Sequence, residues 1–271
     1  MKIGIAADIR QSRVLRDAGF DFLEVNVQGF LSPLEPETRF LELLSSADAA
    51  ILPIPSANCL LPAAMKTTGP EVSMGALDRY LASACQRAAR AGIRTMVFGS
   101  GGSRTVPDGF DRNRAYDQLL KFGAMAAKAA HDAGLIIVAE PLNKRECNIL
   151  NTVAECGAYV EAINHPGMRL IVDSYHFWTD DNDMAAIARH AALIHHVHVA
   201  TVPSRKAPGA EPCDFAGFFG AIKAGGYDGQ IAFEGGWQDV SELKMGIAVI
   251  QKSFAHGSPG AAKLQPGNSK S

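Results

Sequence analysis

The chain has 271 residues, 47% of them hydrophobic and 20% charged, enough to bury one sizeable core and usual in length for one α/β barrel. Its formal net charge of −2 gives no electrostatic reason to expect nucleic acid or an anionic membrane as partner. Five cysteines, an odd number with no CxxC, argue against a disulfide framework or a structural zinc site and favour a reducing cytoplasm.

In chain order, the N-terminal residues Met1 to Asp8 meet a polar residue too soon for a signal peptide, and no run reaches the roughly 18 apolar residues that span a bilayer. Short apolar segments rich in Ile, Val and Phe predict strands at residues 2–7, 20–26, 50–54, 94–99, 135–140, 168–173, 193–199 and 230–234. Helical spacing lies between them. Leu77, Leu81, Ala84, Cys85, Ala88 and Ala91 recur at intervals of three and four over 76–91, and Ala115, Leu119, Phe122, Ala126 and Ala130 do so over 112–133. Gly19, Gly92 and Gly134 stand where left-handed C-caps are wanted before a strand. Eight strand–helix units predict a single α/β domain, a (β/α)8 TIM barrel over residues 1–255. A doubly wound sheet is the competing architecture, but no GxGxxG follows the first strand. Residues 256–271 (HGSPGAAKLQPGNSKS) read as a mobile tail or an oligomer contact.

Four of the strand candidates end on, or carry near their end, a residue type that binds metal. Residues 136–139 run into Glu140, 170–172 into Asp173, 193–197 into His198 and 231–233 into Glu234. Functional side chains of such barrels project from the C-terminal strand ends, so four consecutive strands can converge these residues on one ion. Three carboxylates and one imidazole form a mostly hard donor set that suits Mn²⁺, Mg²⁺ or Co²⁺, with Zn²⁺ also open. His196 faces the same way as His198 and is expected as its buried neighbour, whereas His195 is expected to face the helix layer.

The adjoining words carry a resemblance. EPLNKRECNILNT from Glu140, VDSYHFW at 172–178, HVHVA at 196–200 followed by SRKAPG at 204–209, and AFEGG at 232–236 resemble, in this order, the ketose 3-epimerases (the D-tagatose/D-psicose 3-epimerase group) of the xylose-isomerase-like TIM barrels. The resemblance covers essentially the whole barrel. It implies Glu140, Asp173, His198 and Glu234 as ligands of one divalent ion, with Mn²⁺ first. Glu140 and Glu234 would double as the acid/base pair. It further implies Glu146, His176 and Arg205 as substrate-binding residues; Arg205 falls seven positions after His198, where the family pattern has six. It also implies a small carbohydrate substrate and a homo-oligomer, a dimer or tetramer.

The residue types match that chemistry. A proton on carbon beside a carbonyl is weakly acidic; a divalent cation stabilises the enediolate left by its removal, and two carboxylates on opposite sides can take and return the proton. An inosose dehydratase-like lyase and a hydroxypyruvate isomerase-like enzyme are the alternatives on the same metal plan. An endonuclease IV-type nuclease is set aside, because the first histidine is His131 and the chain is slightly acidic. A non-catalytic sugar-binding protein is disfavoured by the complete ligand set. Asn58, Arg104 and Trp237 are further pocket candidates, with Glu24 and Trp178 beside them. Arg104 lies in the Gly-rich stretch FGSGGSRTVPDGF, where it could hold a phosphate or carboxylate. The acidic stretch 180–183 predicts a helix start.

Overall fold

The computed structural model describes residues 1–47 and 50–257. Eight parallel strands close into one barrel in sequence order. They are β1 (Lys2–Ala6), β2 (Phe22–Asn26), β3 (Ser56–Asn58), β4 (Thr95–Phe98), β5 (Ile136–Ala139), β6 (Met168–Asp173), β7 (Ile194–Val199) and β8 (Gln230–Phe233). The helices between and after them are α1 (Ser12–Ala18), α2 (Glu37–Ala47), α3 (Met74–Arg90), α4 (Gly101–Arg104), α5 (Arg112–Asp132), α6 (Val153–Ile163), α7 (Ser174–His176), α8 (Met184–Arg189), α9 (Phe215–Lys223) and α10 (Val240–His256). The last described helix is α10, and most of residues 256–271, expected as a tail, lie outside the described residues.

Two hydrophobic layers hold the barrel. The larger packs outward-facing strand residues such as Ile137, Leu170 and Val197 against the helices. The smaller, Val97, Val138 and Ile171, belongs to the alternate positions that point into the barrel. Glu140 and Asp173 continue that inward alternation at the strand tops. Gly19, Gly92 and Gly134 all adopt positive φ, as C-caps before a strand require. Asp183 caps α8 by accepting from the amides of Ala185 and Ala186. Asp180 and Asp181 instead accept from Lys144 N and Val153 N, which ties the loop after β6 to the loop after β5.

Two strand expectations need correction. The third strand is Ser56–Asn58, not 50–54. Pro53 and Pro55 have no N–H to give to a ladder; their carbonyls accept from Leu23 N and from Arg94 N, and pairing begins only beyond them. His195 does not face the helices. Leu170 pairs with Ile194 and Ile171 with His196, so a bulge leaves His195 unpaired and re-aims it. Its Nε2 lies 3.3 Å from Thr95 Oγ1, and burial, with His196 and Arg169 adding, holds its pKa down to about 4.

Candidate metal centre

Glu140, Asp173, His198 and Glu234 arrive from four neighbouring strand ends. Asp173 and His198 are register partners on β6 and β7. Glu140 and Glu234 each follow a strand by one residue, and their amides bond back to Phe98 O and Val199 O. One ligand atom from each of the four lies within 4.8 Å of the others. His198 Nδ1 sits 3.4 Å from Glu140 Oε1, 3.3 Å from Glu234 Oε2 and 3.9 Å from Asp173 Oδ2.

The donor set passes a direct test of fit to a cation. Asp173 Oδ1 is consumed by the amides of Tyr175 and His176, which leaves Oδ2 to face the cluster. Asp173 Oδ2, Glu140 Oε1 and His198 Nδ1 are buried without a hydrogen-bond partner. Buried polar atoms left unpaired are costly, and three aimed at one point fit a shared ion. Burial pushes the Asp173 carboxyl up, with the Glu234 and Glu140 carboxylates adding to the rise against His176 and Arg205.

A second layer sets the imidazole. Glu24, from β2, is completely buried, and its Oε2 lies 2.8 Å from His196 Nε2. Its Oε1 approaches His198 Nε2 to 2.7 Å, close but not aligned as a hydrogen bond. Glu24 thus holds the far nitrogen of His198 and turns Nδ1 toward the carboxylates, the way outer carboxylates orient metal-binding histidines. Burial opposes charge on His198, but Glu24 and Glu234 overcome it and raise its pKa well above the ordinary value. Burial likewise opposes charge on Glu24, and the two histidines hold its carboxyl far below the usual range.

The expected substrate residues ring the same point. Arg205 Nη2 donates to Glu234 Oε2 at 2.6 Å, its Nη1 lies 3.5 Å from Glu146 Oε1, and its guanidinium stands 4.8 Å above the Tyr175 ring. Its backbone has a φ of 49°, in the left-handed region. Asn143 Nδ2 reaches both Glu146 Oε1 at 3.0 Å and His176 Nδ1 at 2.9 Å. Asn58 Nδ2 donates to Glu234 Oε1 at 2.8 Å. Burial raises the Glu234 carboxyl, yet His198 and Arg205 pull it down to about 2.

One pocket candidate, Arg104, falls elsewhere. Arg104 is wholly buried, and its guanidinium is taken up by protein groups: it donates to the carbonyls of Phe98, Glu140 and Leu150, with Nε 3.4 Å from Cys147 Sγ. The short α4 turn aims it beneath the site, where it pins the backbone of Glu140. Trp237 is partly buried against the core on the loop after β8, and Trp178 packs edge-on to Phe215. The glycines of that stretch serve the site differently from a ligand-binding loop, since a Cβ on Gly99 would collide with Glu140 Oε2. Asn143 and Tyr175 were not singled out by sequence reasoning. Asn143 stands inside the EPLN word and Tyr175 inside VDSYHFW, the signals that could have found them.

A family model described as the xylose isomerase-like TIM barrel matches residues 12–253. The chain is 35% identical to a ketose 3-epimerase of Arthrobacter globiformis over 109 residues, 40% of this chain and 37% of that protein. It is 29% identical to a 3-dehydro-D-guloside 4-epimerase of Escherichia coli over 126 residues, 46% of each. The matched segments thus span less than half the length of these relatives. A crystal structure of D-psicose 3-epimerase with D-tagatose, from Clostridium cellulolyticum, superposes with a TM-score of 0.79 at 19% identity, covering 94% of this chain and 99% of that one. The match of the family model across almost the whole barrel shows that the chain belongs to the xylose isomerase-like TIM barrel family.

Proposed function

We propose that this chain is a divalent-metal-dependent epimerase or isomerase of a keto sugar, working as a ketose 3-epimerase does. The observation that carries the reading is the convergence of three unpaired buried ligand atoms, from Glu140, Asp173 and His198, beside Glu234. Epimerase and isomerase relatives support the reaction class. The hard donor set favours Mn²⁺, with Mg²⁺, Co²⁺ and Zn²⁺ as alternatives. When bound, the cation supplies positive charge that stabilises the enediolate oxygens.

The chain's own residues do the rest. Glu140 and Glu234 come from the two ends of the four-strand arc and contact His198 Nδ1 from β5 and β8, so each can meet a different face of a sugar lying across the mouth. One takes the proton from carbon and the other returns a proton to the opposite face. Asn58 and Arg205 each hold one oxygen of the Glu234 carboxylate, which fixes its direction. Arg205 and Glu146 offer a donor and an acceptor to sugar hydroxyls, and Asn143 keeps Glu146 and His176 in place.

The test is solvent deuterium exchange with a panel of ketoses, followed by NMR, using protein stripped by chelator and reloaded with Mn²⁺. The expected result is deuterium at C3 with appearance of the C3 epimer, lost on chelation and restored by the metal. A dehydrated product with enone absorbance would move the chain to an inosose dehydratase-like lyase. Turnover only of a three- or four-carbon keto acid would favour the hydroxypyruvate isomerase-like plan. No exchange with any keto substrate sinks the proposal.

A further inference from the structure

A second space opens beside the ion-binding cluster. A cavity of about 960 Å³ runs outward from the barrel mouth between the loop after β1 and helix α2. None of the four cluster residues lines it. Its inner wall includes Glu24 and Asn58, which approach His198 and Glu234 respectively, so the cavity adjoins the cluster. Its outer wall reaches Leu43 and Ser46 on α2.

Size and lining both bear on what fits there. The cavity stands near the top of the ~300–1,000 Å³ range of pockets that enclose drug-sized ligands. A free hexulose has only a dozen non-hydrogen atoms, and its reacting end must sit at the cluster. The walls mix apolar surface from Ile9, Val25 and Phe30 with polar groups such as Asn26. Three guanidiniums stand on the rim, but Arg10 is paired with Asp8 and Arg39 with Glu42. Among the described residues only Arg13 of the three lacks a carboxylate partner, so no cationic focus converges as a phosphate would need. A sugar ring, neutral and hydroxylated with apolar C–H faces, matches this lining better than an anion does.

We infer that the substrate is a ketose carrying a second sugar ring on the end remote from its carbonyl, and that this ring occupies the groove between the β1 loop and α2. The inference rests on the proposed ketose chemistry at the cluster and extends it to a substrate class. The carbonyl end of such a molecule stays free to react at Glu140 and Glu234.

The experiment compares fructose, isomaltulose (fructose bearing a glucosyl ring on O6) and fructose 6-phosphate, with the Mn²⁺-loaded full chain. C3 deuterium exchange and calorimetric binding are read for each. The expected result is a kcat/KM for isomaltulose at least tenfold above that for fructose. Leu43→Trp, or the exposed-site variant Ser46→Trp, should erase that advantage by filling the groove. Equal or poorer use of isomaltulose overturns the inference, and preference for fructose 6-phosphate overturns it in favour of an anion. Tighter binding of isomaltulose than fructose without exchange would sustain the groove while sinking the reaction. Absence of both binding and exchange overturns both.

Discussion

Strands β5–β8 and β1–β4 end at the same barrel mouth but in different chemistry. The β5–β8 half presents Glu140, Asp173 and His198 with almost no solvent exposure, and Glu234 beside them. The β1–β4 half contributes Glu24 and Asn58 as supports and otherwise opens into a wide groove. Four buried or nearly buried carboxylates, counting Glu24, face one permanently charged guanidinium, that of Arg205, and the imidazoles of His176, His196 and His198. Buried charge of one sign without compensation is expensive, so the first half is suited to hold a further positive charge. The second half is built around shape. In the proposed function, one half sets which bond is attacked and the other which molecule reaches it.

The comparison breaks most sharply at Glu234. Glu234→Gln should lower C3 exchange by roughly 10²–10⁴-fold, the usual contribution of a positioned acid or base, while far-UV circular dichroism stays unchanged. A variant that keeps full exchange would mean that proton transfer does not run through the β5–β8 half as described.

The convergence of that half was legible in the sequence because each candidate ligand is one of a few residue types at a strand end. The other features were hidden for separate physical reasons. Residues 50–54 read as an apolar strand, but Pro53 and the following Pro55 cannot donate, which displaced β3 to Ser56–Asn58. His195 obeys simple alternation only if the register is regular, and the bulge at Leu170/Ile171 breaks it. Arg104 lies among glycines that suggest a ligand loop, yet its partners are three carbonyls brought together by the fold. Glu24 meets His196 and His198 across 172 and 174 positions of chain, a pairing that no local pattern encodes. The groove depends on where α2 sits, which is wholly a matter of tertiary packing.

Glu24 is the point at which the β1–β4 half reaches the candidate metal site, through His198. Glu24→Gln should weaken Mn²⁺ binding by roughly 10–100-fold, the usual effect of losing an orienting outer carboxylate, as read by calorimetry. An unchanged affinity would reduce Glu24 to a packing role.

The same histidine gives a pH dependence. The folded-state pKa of His198 is raised above 6.5, so in chelator-treated protein its contribution to stability is fully present below about pH 6.5 and is lost as pH rises through the raised value. Asp173, whose carboxyl is also raised, adds a penalty in the same direction as it is forced to ionise. Metal ligands bind deprotonated, so Mn²⁺ should bind more tightly as pH increases. The gap in Tm between Mn²⁺-loaded and stripped protein should therefore widen from pH 6 to pH 9. A gap that narrows over that range contradicts the assignment of His198 as a ligand.

The smallest expected effect separates positioning from metal binding. Asn58 donates to Glu234 Oε1 from the β1–β4 half, while Arg205 holds Oε2 from the other side. A hydrogen bond to a charged group is worth about 1.5–3 kcal/mol, and here Arg205 keeps part of the geometry when Asn58 is removed. Asn58→Ala should therefore lower kcat by about tenfold, with Mn²⁺ affinity nearly unchanged. Asn58→Gln should not rescue it, because the longer side chain cannot place its amide at the same point. A parallel loss of metal affinity and kcat in Asn58→Ala would merge the two halves, making Asn58 part of the ion site instead of a guide for the carboxylate that moves the proton.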